Sequence, residues 1–525
     1  MSDPTAPNGA QALVQTLVDA GVDVCFTNPG TSEMHFVAAL DDVTAMRGVL
    51  ALFEGAVTGA ADGYARMADR PAATLLHLGP GLGNGLANLH NARRAHTPIV
   101  NIVGDHATYH KQYDAPLESD IDAIAGAVSG WFRRSMTPDA VAADTAAAVA
   151  AARTPPGQVA TLVLPADVCW LPAPAGPAPA VAPPAGRPPA SDQVAAAAKA
   201  LQSGEPCTVL IGGRSMRADG IRTAARIGHA TGAKVMAETF PSRHERGAGL
   251  PDIPRLAYLA EFAQMQLDGT RHLILVDTVE PVSFFAYPDK ASVLTPDGCQ
   301  VSTLAAGPDD PLQALEALAN EVGAVDAAPT APTGRPDRPT GPLDTETLAA
   351  AIGATLPDGA IVVDEANTSG LSIPGATAGG PHHDWLCLTG GAIGIGLPLA
   401  LGAAVACPDR RVLALEADGS AMYTLQALWS MAREQLDVTT VIANNSSYAV
   451  LNMELNRVGA DAGGPRSRSM LDLRDPDLDF VALAGGMGVD GVRVESAEDL
   501  TTQLERCNGE PGPHLIEAVV PALGL

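Results

Sequence analysis

The residues best suited to chemistry in this sequence sit in two turns near its C-terminal end. The stretch 411–450, RVLALEADGSAMYTLQALWSMAREQLDVTTVIANNSSYAV, reads as a strand, an Asp418-Gly419-Ser420 turn, a helix over 422–435, a second strand and an Asn444-Asn445 turn. A right-handed crossover between parallel strands places Asp418 and Asn445 at the same end of the sheet. A carboxylate, an amide oxygen and a nearby backbone carbonyl are hard oxygen donors of the kind Mg²⁺ takes, with phosphate oxygens and water in its remaining positions. Gly419 permits close approach of an anion, and Ser420 supplies a hydroxyl at the following helix start. The alternative is two ordinary loops, because DG and NN are common turn dipeptides. A further candidate, Glu54, ends an apolar run and enters an Ala/Gly helix in LALFEGAVTGAADGYARM. It is either a partly buried working carboxyl or a helix N-terminal acid that complements the dipole.

The elements that must position these groups alternate along the chain. VDVCF, ATLLHL and PIVNIV, then CTVLIGG and HLILVD, then AIVVD, RVLALEA and TTVIAN read as strands, with Ala-rich helical runs between them. Continuous apolar strands alternating with helices imply parallel sheets covered on both faces. Ligands in such sheets bind beyond the C-terminal ends of the strands. Pro/Ala-rich linkers at 171–191 and 324–342 divide the chain into blocks 1–170, 192–323 and 343–525, each of domain size. The expected architecture is three doubly wound α/β domains.

Composition narrows the partners. A formal net charge of −27 argues against nucleic acid and anionic membranes. The seven cysteines form no CxxC pair, and MSDPTAPNGAQALVQ has no basic region followed by an apolar core, so a cytoplasmic location is expected. The uncharged segment 390–407, GGAIGIGLPLALGAAVAC, reaches the lower length limit of a membrane span. Its glycines, its proline and its lack of aromatic or basic anchors favour a buried glycine-rich turn and helix instead.

The 411–450 stretch resembles the signature of thiamine-diphosphate enzymes, a GDG followed some 25–30 residues later by NN, with Ala417 in place of the first glycine. The resemblance extends over nearly the whole chain and is closest to acetolactate synthase large subunits and benzoylformate decarboxylases. It implies pyrimidine-binding, central and diphosphate-binding domains in that order, with thiamine diphosphate and Mg²⁺ as cofactors. Asp418, Asn445 and the carbonyl of Ser447 match the metal ligands, and Glu54 matches the glutamate that bonds the aminopyrimidine and promotes C2 ylid formation. Asn367, Thr368, Gly391, Gly419, Ser420, Tyr423, Tyr448, Ala449 and Val450 match cofactor-binding positions. Ile393, in TGGAIGIGLP, matches the bulky residue beneath the bent cofactor, although core packing alone would equally place an isoleucine there. The resemblance further implies a homodimer or homotetramer, with Glu54 of one chain serving Asp418 of another.

The substrate is less constrained. Thr31, in NPGTSE, stands where benzoylformate decarboxylases carry a serine, and His77 matches a histidine of that subgroup. Their second histidine has no counterpart, because PVSFFAYP places Ala286 there. Acetolactate synthases carry a glutamine after a glycine where this chain has Gly104-Asp105-His106. His106, His110 and Lys111 are either substrate contacts or a solvated loop. Glu454 is either a pocket residue or an exposed helical charge. HLILVDTVEPV lacks the turn that holds flavin in acetolactate synthases, and LIGGRSMRADG offers only a short glycine loop, so FAD is not expected. The implied function is acetolactate-synthase-like decarboxylation and carboligation of a 2-keto acid through an enamine. The alternatives are a benzoylformate-type decarboxylase or other C–C lyase, and a cofactor-binding homologue without acetolactate synthase activity.

Overall fold

The continuous apolar runs form strands in three sheets. The structure, a computed structural model, describes residues 6–460 and 464–522. The first sheet runs in spatial order Arg47–Leu50, Val24–Thr27, Ala72–Leu76, Ile99–Asp105, Val159–Pro165 and Trp131–Arg134, all parallel. The second is Gln300–Ala305, His272–Val276, Cys207–Ile211 and Lys234–Ala237, also parallel. The third is Asp490–Val494, His514–Val519, Val438–Asn444, Val412–Ala417, Ile361–Glu365, His383–Cys387 and His244–Arg246. Alternate residues of the first sheet enter two different cores, Phe26, Leu76 and Val103 in one and Cys25, Leu75 and Ile102 in the other. Side chains of a strand alternate between faces, so this sheet is buried on both. The architecture is the three-sheet α/β fold that the sequence implies.

Two features differ from the sequence reading, and a third agrees with it. His244–Arg246 comes from the middle block yet pairs antiparallel with His383–Cys387, covering the edge of the third sheet. The helix expected over 422–435 is two helices, Asp418–Ala421 and Ala427–Arg433. The break is tied down by the Thr424 hydroxyl, which donates to the Gly394 carbonyl at 2.9 Å. The 390–407 segment is a glycine-rich loop followed by a buried helix, Gly396–Ala406. Among the described residues no helix is long and apolar enough to cross a membrane.

That buried helix packs on Glu54–Ala68, and glycines set the contact. Gly55, Gly59 and Gly63 recur on one helical face. A Cβ on Gly63 would lie 2.0 Å from the Leu399 carbonyl oxygen, and one on Gly402 would lie 1.8 Å from that of Ala60. One core cluster therefore runs without interruption from Phe26 and Val57 to Leu399 and Leu428. Arg66, on the same helix, is buried and pairs with Asp62 at 2.5 Å. It also donates to the carbonyls of Ser242 (3.1 Å) and Cys387 (2.8 Å), so one guanidinium joins segments from all three blocks.

Gly402→Val should destabilise the chain by at least about 1–3 kcal/mol, the usual cost of overpacking, read as a lower urea midpoint with an unchanged slope. The contribution of two buried histidines to stability should also fall with acidification. Burial lowers the pKa of His383 to about 4 and that of His244 well below its ordinary value. The unfolded chain therefore takes up these protons first, and the stability present above about pH 6.5 is lost as pH falls toward 4. His383 should contribute a loss of about 1 kcal/mol per pH unit in that window. Buried carboxyls act in the opposite sense, since desolvation raises Glu238 and Glu365 to about 7. The histidine contribution is therefore read as the difference between wild type and His383→Gln. A difference that stays constant between pH 7 and pH 5 would contradict it.

Candidate active site

Asp418 and Asn445 lie just beyond the ends of adjacent parallel strands, paired through Ala417 and Ala443. Asp418 is 2% exposed. Burial raises its pKa, opposed by backbone N–H groups of Gly419, Ser446, Asn445 and Ser447. The N–H of Gly419 donates to it at 2.7 Å and that of Asn445 at 3.0 Å. The Asn445 amide oxygen accepts from the Ser447 N–H at 2.9 Å, and its Nδ2 donates to Ser369 at 3.3 Å. The preceding Asn444 holds the turn, accepting from the Ser446 N–H at 3.0 Å and donating to Glu517 at 2.8 Å. Ser446 has φ 53°, so the reversal passes through the left-handed region.

This donor set fits a hard cation that arrives with phosphate. Among the described residues no group of three or more His, Cys, Asp or Glu forms a metal cage. One carboxylate, one amide oxygen and one carbonyl leave positions open for phosphate oxygens, as Mg²⁺ prefers. Ser420 accepts from Asn367 Nδ2 at 2.9 Å, and Asn367 has φ 50°. Thr368 is buried beside it. The space over Gly419 is taken by a side chain: a Cβ there would lie 2.4 Å from the Tyr448 ring. Its glycine therefore admits that ring as well as any anion. Ala449 and Val450 open the helix Ala449–Arg457 that follows.

Glu54 is the first residue of Glu54–Ala68 and 7% exposed. Its carboxylate accepts from Asn84 Nδ2 at 3.0 Å and Asn28 Nδ2 at 3.3 Å. Among the described residues none of its own helix's N–H groups bonds that carboxylate, whose hydrogen-bond partners are the two asparagine amides. Asn84 belongs to a row that sequence reasoning missed. Asn84, Asn88 and Asn91 follow one another at helical spacing on Leu78–Arg94. Asn88 Nδ2 donates to the carbonyls of Gly55 (2.8 Å) and Gly394 (3.3 Å), and Asn91 Nδ2 to that of Ala392 (2.8 Å). Three asparagines on an otherwise Gly/Leu-rich helix were the available signal. They link the start of the Glu54 helix to the 390–394 loop.

That loop carries Gly391 and Ile393. Ile393 is half-buried, whereas Ile395 two residues later joins the core. Core packing therefore explains Ile395 and leaves the Ile393 side chain available at the loop. Gly391, with φ 76°, lies under Phe284, whose ring atom would stand 2.6 Å from an added Cβ. Tyr423 packs on Gly394 in the same way, at 2.4 Å, and is otherwise half exposed. Beneath the loop Glu365 accepts from the N–H groups of Gly394 (2.8 Å) and Gly396 (2.6 Å). Burial pushes the carboxyls of Glu365 and its neighbour Glu416 up.

The substrate candidates separate. His77, with its side chain 21% exposed, bonds Glu33 at 2.8 Å and lies 3.3 Å from the Ser32 hydroxyl. Thr31 stays exposed on the same loop. Asp105 is buried and ion-paired to Lys111 and Arg134. Lys111 also pairs with Glu118 at 2.6 Å. His110 is exposed and stacks on His106. Asp105 and Lys111 are thus spent on internal pairing, whereas among the described residues His106 Nε2 is buried without a hydrogen-bond partner. Ala286 is exposed. Glu454 is partly buried and pairs with Arg457, which covers the Tyr287 ring.

Comparisons with known proteins identify the two cofactor-binding domains and their relatives. The family model for the thiamine pyrophosphate enzyme N-terminal TPP binding domain matches residues 7–126. The model for the C-terminal TPP binding domain matches residues 376–518. A Mycobacterium tuberculosis protein, provisionally named an acetolactate synthase large subunit, is 60% identical over 517 residues, covering 98% of this chain and 99% of that protein. The benzoylformate decarboxylase of Pseudomonas aeruginosa is 29% identical over 533 residues, covering 95% of this chain and 96% of its own. A solved structure, the thiamine diphosphate-dependent 4-hydroxybenzoylformate decarboxylase of Rhodococcus jostii, matches with a TM-score of 0.85 at 26% identity, covering 99% of this chain and 100% of that one.

Asp418→Ala should weaken Mg²⁺-dependent binding of thiamine diphosphate, read by tryptophan fluorescence. The expected loss exceeds the roughly 10–100-fold that follows from removing a partner behind a ligand. An unchanged Kd with and without Mg²⁺ would remove Asp418 from the metal site.

Proposed function

This chain belongs to the thiamine pyrophosphate enzymes, and from that premise we propose that it is a Mg²⁺-dependent enzyme that decarboxylates a 2-keto acid. The carrying observation is that one chain holds both a buried, amide-held Glu54 and the strand-end Asp418/Asn445 turns. Bound thiamine diphosphate would supply the carbon nucleophile and the electron sink that C–C cleavage next to a carbonyl requires. Asp418, Asn445 and the Ser447 carbonyl hold the metal. Glu54 moves the proton at the aminopyrimidine, and Asn28 and Asn84 keep its carboxylate in place. Ile393 supports the bent cofactor from the loop. His77 moves a proton at the substrate carbon, which favours release of an aldehyde.

A second reading is acetolactate-synthase-like carboligation, in which a second carbonyl compound takes the place of that proton. The 60% identical relative favours it. The buried, ion-paired Asp105 at the position of the synthases' glutamine favours the first. The ring of Phe284 over Gly391 suits a substrate with a bulky apolar side chain. The working unit is proposed to be a homodimer or homotetramer. Leu52, Met422 and Tyr423, each exposed beside one half of the site, support a second copy there.

A panel of pyruvate, 2-ketobutyrate, phenylpyruvate and benzoylformate, assayed for CO₂ and for carbonyl product, separates the readings. Aldehyde matching the CO₂ released is expected; ligated product in its place selects carboligation, and no turnover of any member sinks both. Glu54→Gln should lower kcat by about 10²–10⁴-fold. Co-expressed Glu54→Gln and Asp418→Ala chains should recover up to about a quarter of wild-type activity if sites are shared across a symmetric dimer. Absence of recovery would place each site within one chain.

A further inference from the structure

Glu33 is fully buried, and no part of the proposed reaction yet uses it. It closes the short turn Thr31–Glu33 and begins the helix Met34–Asp42. One carboxylate oxygen, Oε2, accepts from the Gly30 N–H at 2.8 Å and from His77 Nδ1 at 2.8 Å. The other, Oε1, accepts from the Ser32 hydroxyl at 2.5 Å. Two glycines make the room. A Cβ on Gly104 would lie 1.7 Å from Glu33 Oε1, and one on Gly30 would lie 2.3 Å from His77 Cγ and Nδ1. The carboxylate is wedged against the Ile99–Asp105 strand, and the imidazole lies flat on the turn.

We infer that Glu33 is the positioning residue of His77, fixing its Nδ1–H tautomer and ring plane so that Nε2 alone exchanges protons with the substrate. Both carboxylate oxygens already accept, so the hydrogen shared with His77 sits on Nδ1. Among the described residues every side-chain hydrogen bond of His77 is made through Nδ1, which leaves Nε2 free. A carboxylate behind an imidazole sets which nitrogen works and how the ring is oriented. Glu33 touches neither substrate nor cofactor in this arrangement. It acts through His77, so the inference rests on the proton-transfer role given to that residue above.

The test uses the full chain labelled with ¹⁵N-histidine, without cofactor, so that it stands apart from turnover. His77→Gln identifies the His77 resonances by their disappearance. In the wild type, at a pH where the ring is neutral, Nδ1 should be protonated and Nε2 bare. In Glu33→Ala the signals should move to a mixture dominated by the Nε2–H form. An unchanged Nδ1–H tautomer in Glu33→Ala overturns the inference. If Glu33→Ala does not fold, Glu33→Gln carries the same comparison, because its amide oxygen accepts only in competition with its own NH₂. There the expected result is loss of a single tautomer, and retention of pure Nδ1–H overturns the inference. On whichever 2-keto acid turns over, Glu33→Gln should lower kcat about 10–100-fold with KM within threefold. The Glu33→Gln/His77→Gln double variant should then be no slower than His77→Gln alone, since the two act as a unit. Additive losses would overturn the coupling. A tautomer change with no turnover of any acid would uphold Glu33 while sinking the proposed reaction.

Discussion

The close approach of two helices governs this molecule. Glu54–Ala68 and Gly396–Ala406 touch backbone to backbone at Gly63 and Gly402, where any Cβ would overlap a carbonyl oxygen of the other helix. Packing this dense leaves no slack to absorb a methyl group. It brings the first residue of one helix, Glu54, into the same rigid body as the loop that precedes the other, with Gly391 and Ile393. Asn88 spans the two, bonded to Gly55 and Gly394 at once. Arg66 extends the same helix's reach to Ser242 and Cys387, so all three blocks are referenced to one element.

Within that frame the site handles buried negative charge in three ways. Asp418 is stabilised by backbone N–H groups at the strand ends and keeps its oxygens available for a cation. Asp105 is neutralised by Lys111 and Arg134, which removes it from chemistry. Glu54 is held by the amides of Asn28 and Asn84, and Glu33 by the Gly30 N–H, the Ser32 hydroxyl and the imidazole of His77, with no Lys or Arg in either set. An unpaired charge in a buried site is costly unless hydrogen bonds replace water. The differing partners therefore leave Asp418, Glu33 and Glu54 without a Lys or Arg partner, unlike Asp105.

Much of this was legible in the sequence. The strand-turn patterns around Asp418 and Asn445 are local, and the crossover rule places two consecutive parallel strands at one end. Apolar runs marked eight of the seventeen strands among the described residues, because a sheet buried on both faces needs no polar alternation. They left unmarked those that carry charges, such as Arg47–Leu50 and Asp490–Val494. The row Asn84, Asn88, Asn91 was visible only as spacing, since its partners lie in segments far along the chain. The helix break at 422–426 was not legible, because it depends on a hydroxyl-to-carbonyl bond from Thr424 to Gly394. Nor was the antiparallel His244–Arg246 strand, whose partner is more than a hundred residues away and whose own run is three residues long.

The sequence by itself determined the three-sheet α/β class and the chemical types at the strand ends. Local propensity, hydrophobic continuity and turn geometry act over a few residues and are written directly in residue order. Only the tertiary structure decided which polar residues share a site. It joined Glu33 to His77 across 44 positions and Asn84 to Glu54 across 30, and it turned Asp105 inward onto its own cations. Those choices follow from packing at glycines and from the partners the interior offers to buried charges, and both are properties of the assembled interior.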